Sequence, residues 1–308
     1  MPLMDLTTRR MGALLAVAGL GFTVAACGSE PEASTPAPAR VDVRASSQVV
    51  DLLPEQVARR GTLRVAIPDS GLPLAGKQNG ELRGMDPDLG KALAQVMGLK
   101  YEPRMIPFSS ALPGLQSGRY DVSFGEFYVT AKRLETADFV TAWHDYSSFV
   151  VQKDMKVKPR ALTDVCGMQV GAMEGSVELK FLNDAQAGCA AKGRKPITID
   201  AFPSISAGVL ALSSNRVQAV LANRGGGENA VAKGQSFALV GQIGGGPTAT
   251  AVARTAYSAR MLRAVRKAYE VLMSQGAYSK ILKANNTSYG AIDKPTVYTT
   301  GSSLPDYE

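Results

Sequence analysis

Twice along this 308-residue chain a short apolar run leads into a helix-patterned segment and then into another apolar run, and no other feature restricts the fold as much. The first series starts with "LRVAI", Leu63 to Ile67, closed by Pro68 and followed by the polar loop or hairpin "GKQNGELRG". "MDPDLGKALAQVMGL" then reads as a helix with Asp86 as N-cap, Pro87 at the first helical position, and Leu89, Leu93, Val96 and Met97 at helical spacing. "KYEPRMIPF" reads as a strand, "SSALPGLQSG" as a short helix ended by Gly118, and "YDVSFG" as a third strand that stops at "GEFYVTAKR". The second series runs from strand "MQVGAM" through a helix beginning at Ser176, strand "ITIDAF" and helix "SISAGVLALSSN" to strand "VQAVLAN". After the glycine-rich "IGGGPTATAVART" comes a long amphipathic helix from about Tyr257 to Leu272, with Leu262, Val265, Tyr269 and Leu272 on one side. Strands that alternate with helices pair in parallel through crossover connections. An α/β fold of two lobes is therefore expected, with chain crossings at Ser147 to Lys153 and Gly246 to Arg254.

The first fifty residues follow different rules. Arg9 and Arg10 supply a positive start, Gly12 to Phe22 is uncharged and apolar, and Ala25 and Ala26 precede Cys27, the pattern of an export signal. That apolar stretch is too short to span a bilayer as a mature helix. Val24-Ala25-Ala26-Cys27-Gly28 resembles a bacterial lipobox, which implies cleavage before Cys27 and lipidation of its thiol; an ordinary signal with a chance cysteine is the alternative. Thr8-Arg9-Arg10 also resembles a twin-arginine signal but lacks the usual Phe-Leu, so two export routes stay open. Residues 1–26 are expected to be the signal peptide and 27–52 a disordered tether, because "GSEPEASTPAPAR" cannot bury enough apolar surface to fold. The remainder divides into lobe 1 at 53–148, lobe 2 at 149–248, and a return to lobe 1 at 249–308.

The formal charge of +7 comes from scattered Lys and Arg without a recognition motif, so it reads as surface charge and not as a nucleic-acid footprint. The one histidine, His144, and the lack of paired Cys-x-x-Cys motifs imply no metal site, and no other cofactor motif is visible. Besides Cys27 the chain holds Cys166 and Cys189, which an oxidising compartment can join. Closing that loop would stabilise the fold by about 3 kcal/mol; two separate buried thiols are the alternative.

"LQSGRYDVSFGEFYVTAKRLETADFV", together with "RRGTLRVAI", "GMDPDLGKALA", "CGMQVGAMEGS", "SSNRVQAVLAN" and "SQGAYSKILK", resembles the ordered blocks of bacterial family 3 solute-binding proteins, the polar amino-acid receptors of ABC importers. The resemblance covers almost the whole body and implies a two-lobed periplasmic-binding-protein fold of type II, with mainly parallel sheets, flanking helices and two hinge crossings. "DVCG…C…KG" further resembles an exported-lipoprotein branch with a disulfide in the second lobe, which implies a Cys166–Cys189 bridge.

The family's functional positions map onto single residues. Arg133 matches the arginine that clamps the ligand α-carboxylate, a task suited to a planar fork of donors, whereas a solvated first-turn arginine is the structural alternative. Thr130 matches the threonine that caps this helix, and Tyr128 stands where a small hydroxyl residue is usual, which should narrow the pocket. Gly175 and Ser176 match the second lobe's Gly-Thr, although Ser176 also suits a plain helix cap. Phe108 matches an aromatic that stacks on the ligand, and Asp69 is the polar candidate in the loop "IPDSGLPL", where a family aromatic is missing. Asn223 stands where the family usually has an aspartate for the ligand ammonium, while Glu126 replaces a small residue. The acid is therefore expected to have moved to the other lobe, or the ligand to differ from a standard α-amino acid. Trp143 is expected to pack, and His144 to be an ordinary surface or core group.

The resemblance implies an exported receptor held to the outer face of the cytoplasmic membrane through Cys27. It would capture an amino acid or relative as a monomer and deliver it to separate permease and ATPase subunits of an ABC importer. No Ser/His/Asp or metal constellation is visible, so the chain is read as no enzyme. The same fold also serves a dehydratase and lytic enzymes, for which Glu126 or Glu174 could be a general acid, and ligand sensing without transport is a further alternative.

Overall fold

A computed structural model describes residues 41–233 and 236–307. The expected signal peptide, the lipidation site Cys27 and the first part of the tether lie outside the described residues. Among the described residues there are eleven strands: β1 (Thr62–Pro68), β2 (Gly76–Gln78), β3 (Glu81–Arg83), β4 (Lys100–Ile106), β5 (Val122–Tyr128), β6 (Ala137–Gln152), β7 (Gln169–Met173), β8 (Thr198–Phe202), β9 (Ala219–Asn223), β10 (Phe237–Ala253) and β11 (Val297–Tyr298). β2 and β3 form the expected polar hairpin, and the others make one sheet in the order β4-β1-β5-β10-β6-β9-β7-β8, with β11 on β6.

The sheet has two halves because β6 and β10 are long enough to serve both. In one half β4, β1 and β5 are parallel, and β5 pairs with the later part of β10, from Thr248 onward. In the other half β8, β7 and β9 are parallel, and β9 pairs with Ser147–Val151 of β6. This is the two-lobed α/β fold that the alternation predicts, with β6 and β10 as the two crossings. The crossing point sits earlier than the sequence suggests. Ser147 already faces Asn223 of the second half, and the β6–β10 ladder loses register between Val240 and Gly246. The turnover therefore falls near Asp145 and Tyr146, beside Gly244 and Gly245, which have φ of 58° and 157°. Continuous apolar patterning conceals this switch of partners, since the strand stays buried on both sides of it.

Helix Met85–Val96 lies on the first half with Leu89, Leu93 and Val96 buried, as its spacing predicts. Its N-cap is Gly84 and not Asp86. Gly84 has φ 120°, and a Cβ there would lie 2.3 Å from the Leu74 carbonyl oxygen, so only glycine admits the turn. Asp86 is instead inside the first turn and 2 % exposed. Helix Ser258–Ser274 buries Leu262, Val265, Tyr269 and Leu272 against the same core, matching its predicted stripe. The second half has its own core of Phe149, Val151, Val170, Leu182 and Leu221, and Trp143 packs in the interior while His144 is exposed.

Two boundaries depart from expectation. The later part of the expected tether is packed: Ser47–Val50 is helical, Val49 is fully buried, and Arg260 Nη2 donates to the Asp51 carbonyl at 2.9 Å. β5 also continues through "GEFY" to Tyr128 instead of stopping at Gly125. In the second half Cys166 and Cys189 are bridged, joining the turn Leu162–Val165 to helix Gln186–Ala191.

Candidate functional site

The end of β5 and the short helix after it form one wall of a cavity between the lobes. β5 is a central strand, so Phe127 and Tyr128 are buried on opposite sides of it, and Thr130 ends the strand as an N-cap. Its Oγ1 accepts the Arg133 backbone N–H at 3.2 Å, which fixes the helix Ala131–Leu134 and the direction of the Arg133 side chain. The guanidinium donates from Nη1 to the Tyr128 carbonyl at 2.9 Å and from Nη2 to the Gly175 carbonyl at 3.1 Å. It also lies over the rings of Phe108 and Phe127, 5.5 and 5.3 Å from their centroids. Burial lowers its pKa to about 10, so it remains a cation at neutral pH, with Glu178 acting on it through space to favour the charge.

The facing wall comes from the second lobe. Gly175 has φ 76°, and a Cβ added there would lie 3.3 Å from Ser109 Cα in the first lobe. Ser176 caps helix Val177–Asp184 by accepting the Leu179 N–H at 3.2 Å, which is the structural role the sequence allowed. Glu178 is 7 % exposed and accepts a hydrogen bond from Ser147 Oγ at 2.8 Å. The space enclosed by Phe108, Glu126, Tyr128, Arg133, Asp145, Ser176, Glu178 and Asn223 is about 20 Å³. That is room for a single water, so a larger solute needs the lobes to part or the walls to shift.

The acids of this cavity carry most of its chemistry. Glu126 has φ 46°, the left-handed region that side chains rarely occupy, and its carboxylate is buried. Neither of its oxygens has a well-formed partner; burial raises its pKa and that of nearby Asp86, and the charge of Glu126 raises Asp86 further. Asp145, at the crossing point of β6, is 4 % exposed and neither side-chain oxygen has a well-formed partner. Burial lifts its pKa well above the usual carboxylate range, the Tyr146 N–H gives partial relief, and Glu126 and Glu178 lift it further. Glu126, Asp145 and Glu178 thus line the cavity with Arg133 as the cation among them.

Of the residues that the sequence nominates, Phe108, Glu126, Tyr128, Arg133, Ser176 and Asn223 meet at this cavity. Thr130 and Gly175 reach it through their hydrogen bonds with Arg133. Asp69 does not line it; its Oδ1 accepts the Gly71 N–H at 3.4 Å and shapes the loop after β1. Asn223 Oδ1 accepts the Gly226 N–H at 2.8 Å, which ties this residue to the start of helix Arg224–Lys233. Sequence reading missed Asp145 and Glu178. Glu178 stands two positions after Ser176 in "EGSVELK", and Asp145 two positions after Trp143, spacings that put each pair near one wall but carry no chemical signature.

Residues 63–286 match the family model described as bacterial extracellular solute-binding proteins, family 3. An arginine-binding protein of Corynebacterium glutamicum is 27% identical over 218 residues, covering 70% of this chain and 71% of its own length. The solved structure of an ancestral arginine-binding protein bound to arginine superposes with a TM-score of 0.66 at 29% identity, covering 73% of this chain and 98% of that one. A membrane-bound lytic murein transglycosylase F of Actinobacillus succinogenes is 27% identical over 133 residues, which span 43% of this chain and 28% of that protein.

Proposed function

The chain belongs to the bacterial extracellular solute-binding proteins, family 3, and from that premise we propose that it is the lipid-anchored receptor of an ABC importer, closing on a cationic amino acid or a close derivative. The single observation behind the ligand class is the imbalance of the cavity lining, in which three acids, Glu126, Asp145 and Glu178, stand against one cation, Arg133. Buried carboxylates need cations. A solute with one carboxylate and two positive groups supplies them: its carboxylate takes the place of the carbonyls on Arg133, and its ammonium and side-chain cation face Asp145, Glu126 and Glu178. The loss of the usual aspartate at Asn223 fits this exchange of acids between lobes. Arginine-binding relatives support the same reading. Cys27 anchors the receptor, and separate permease and ATPase subunits receive the solute.

A thermal-shift screen of amino acids, amines and opines tests the reading. L-arginine or a similar cationic amino acid at about 100 times its Kd should add about 2.7 kcal/mol of stability. Arg133→Ala should weaken carboxylate-bearing solutes by about 100-fold, since a bidentate charge-assisted contact is lost. Unchanged affinity in that variant removes Arg133 from the clamp role. A second reading, an enzyme of the same fold, is favoured by one observation, the raised pKa of the buried Glu126 carboxyl, which suits a general acid. Product formed from a chorismate-type or glycan substrate, with no shift from any amino acid, would select it.

A further inference from the structure

The segment after β11 returns to the site from behind. Thr300 Oγ1 donates to the Leu134 carbonyl at 3.3 Å beside the Arg133 helix, and the chain ends its described course with Tyr307 wedged at the crossing point of β10. Tyr307 joins three parts of the molecule. Its ring lies 4.4 Å from that of Tyr128, centroid to centroid. Its hydroxyl accepts the Val129 N–H at 2.6 Å and donates to the Pro247 carbonyl at 3.0 Å. Its own carbonyl accepts the Gly245 N–H at 3.0 Å.

These contacts explain the run "IGGGP", which no other feature of the site uses. An added Cβ at Gly244 would lie 2.6 Å from the Tyr307 carbonyl oxygen, and one at Gly246 would lie 2.7 Å from Tyr307 Cδ1. Side chains at these positions would expel the tyrosine. The glycines therefore do two things at once: they admit the unusual backbone of the crossing, and they leave a seat for residue 307.

We infer that Tyr307 is a positioning residue of the ligand site, one that fastens the Tyr128–Val129 wall to the β10 crossing and so favours the closed arrangement of the lobes. The Tyr128 carbonyl that Tyr307 holds in place is the one that receives Arg133 Nη1. Bending β10 at Gly244 to Gly246 would break the bond from Gly245 and shear the ring off Tyr128. Loss of Tyr307 then both frees the crossing and loosens the arginine's support.

The test uses the full chain with Tyr307→Phe, Tyr307→Ala, Gly246→Ala and the Gly246→Ala/Tyr307→Ala pair. Without any solute, small-angle X-ray scattering should give a larger radius of gyration for Tyr307→Ala and for Gly246→Ala than for the parent, with unchanged circular dichroism. This readout does not depend on the receptor reading. The ligand arm rests on that reading and uses L-arginine, with dissociation followed by Trp143 fluorescence. Tyr307→Phe keeps the ring contact and loses both hydroxyl bonds, so it should release L-arginine about tenfold faster, and Tyr307→Ala faster still. The double variant should be no worse than the stronger single one, because both remove the same contact. Radii and release rates equal to the parent's, or additive effects in the pair, overturn the inference. A chain that opens on loss of Tyr307 yet binds no L-arginine contradicts the ligand assignment alone.

Discussion

Asp145 sets the stability of the fold against the proposed binding of a cation. Its oxygens are buried without well-formed partners, in a cavity that also holds Glu126 and Glu178. Asp145→Asn removes an acid whose ionised form burial penalises, so at pH 8 the solute-free protein should gain about 1 kcal/mol in denaturant unfolding. The same change should weaken L-arginine by about 1.5–3 kcal/mol, the usual worth of a hydrogen bond to a charged group. A variant that loses stability and keeps its affinity would place Asp145 in the structural framework. Arg133 was legible in the sequence because the cap, the arginine and the blocks around them lie within one short stretch. Asp145 and Glu178 were not, since their nearness is created by long-range pairing: Ser147 of β6 faces Asn223 of β9 and donates to Glu178. The tie from Asn223 to the next helix was hidden for a similar reason, because nothing local says that its oxygen accepts from Gly226.

At the scale of elements, regular periodicity was read well and changes of partner were not. Helix Ser258–Ser274 has a stripe at 3.6-residue spacing, and that stripe is the buried one. β6 keeps an apolar pattern through 16 residues while its neighbours change from the first lobe to the second, so the crossing could not be located from composition. The Cys166–Cys189 bridge is an element-scale tie within the second lobe, away from the cavity. Replacing both cysteines by serine should cost about 3 kcal/mol in reversible unfolding, from the loop-closure entropy of a 23-residue separation. Affinity measured well below the melting temperature should stay within about twofold of the parent, because no cavity-lining group moves. A large loss of affinity with little loss of stability would show that the bridge shapes the site.

For the molecule as a whole, the acids link folding, binding and pH. Asp86, Glu126 and Asp145 hold protons more tightly when folded than when unfolded, chiefly through burial. Folding takes up protons at these sites, so their contribution to stability is full below the ordinary carboxylate value of about 4 and is lost as pH rises through their elevated folded values. Asp164 has the opposite sign, since it accepts the Arg160 and Ala161 N–H groups, but its lowered pKa confines that effect to more acid solution. Solute-free protein should therefore melt at a higher temperature near pH 5 than near pH 8. Binding should run the other way, because a cationic solute favours the ionised carboxylates and displaces their protons.

Isothermal titration calorimetry of L-arginine, agmatine and L-glutamate, in two buffers of different ionisation enthalpy near pH 6, measures both the ligand class and the protons that binding displaces. L-arginine should bind one to one with proton release, agmatine, which lacks the carboxylate for Arg133, at least about tenfold more weakly, and L-glutamate should not bind. L-glutamate binding as tightly as L-arginine, or L-arginine binding without proton release and no tighter than agmatine, would contradict the proposed ligand class.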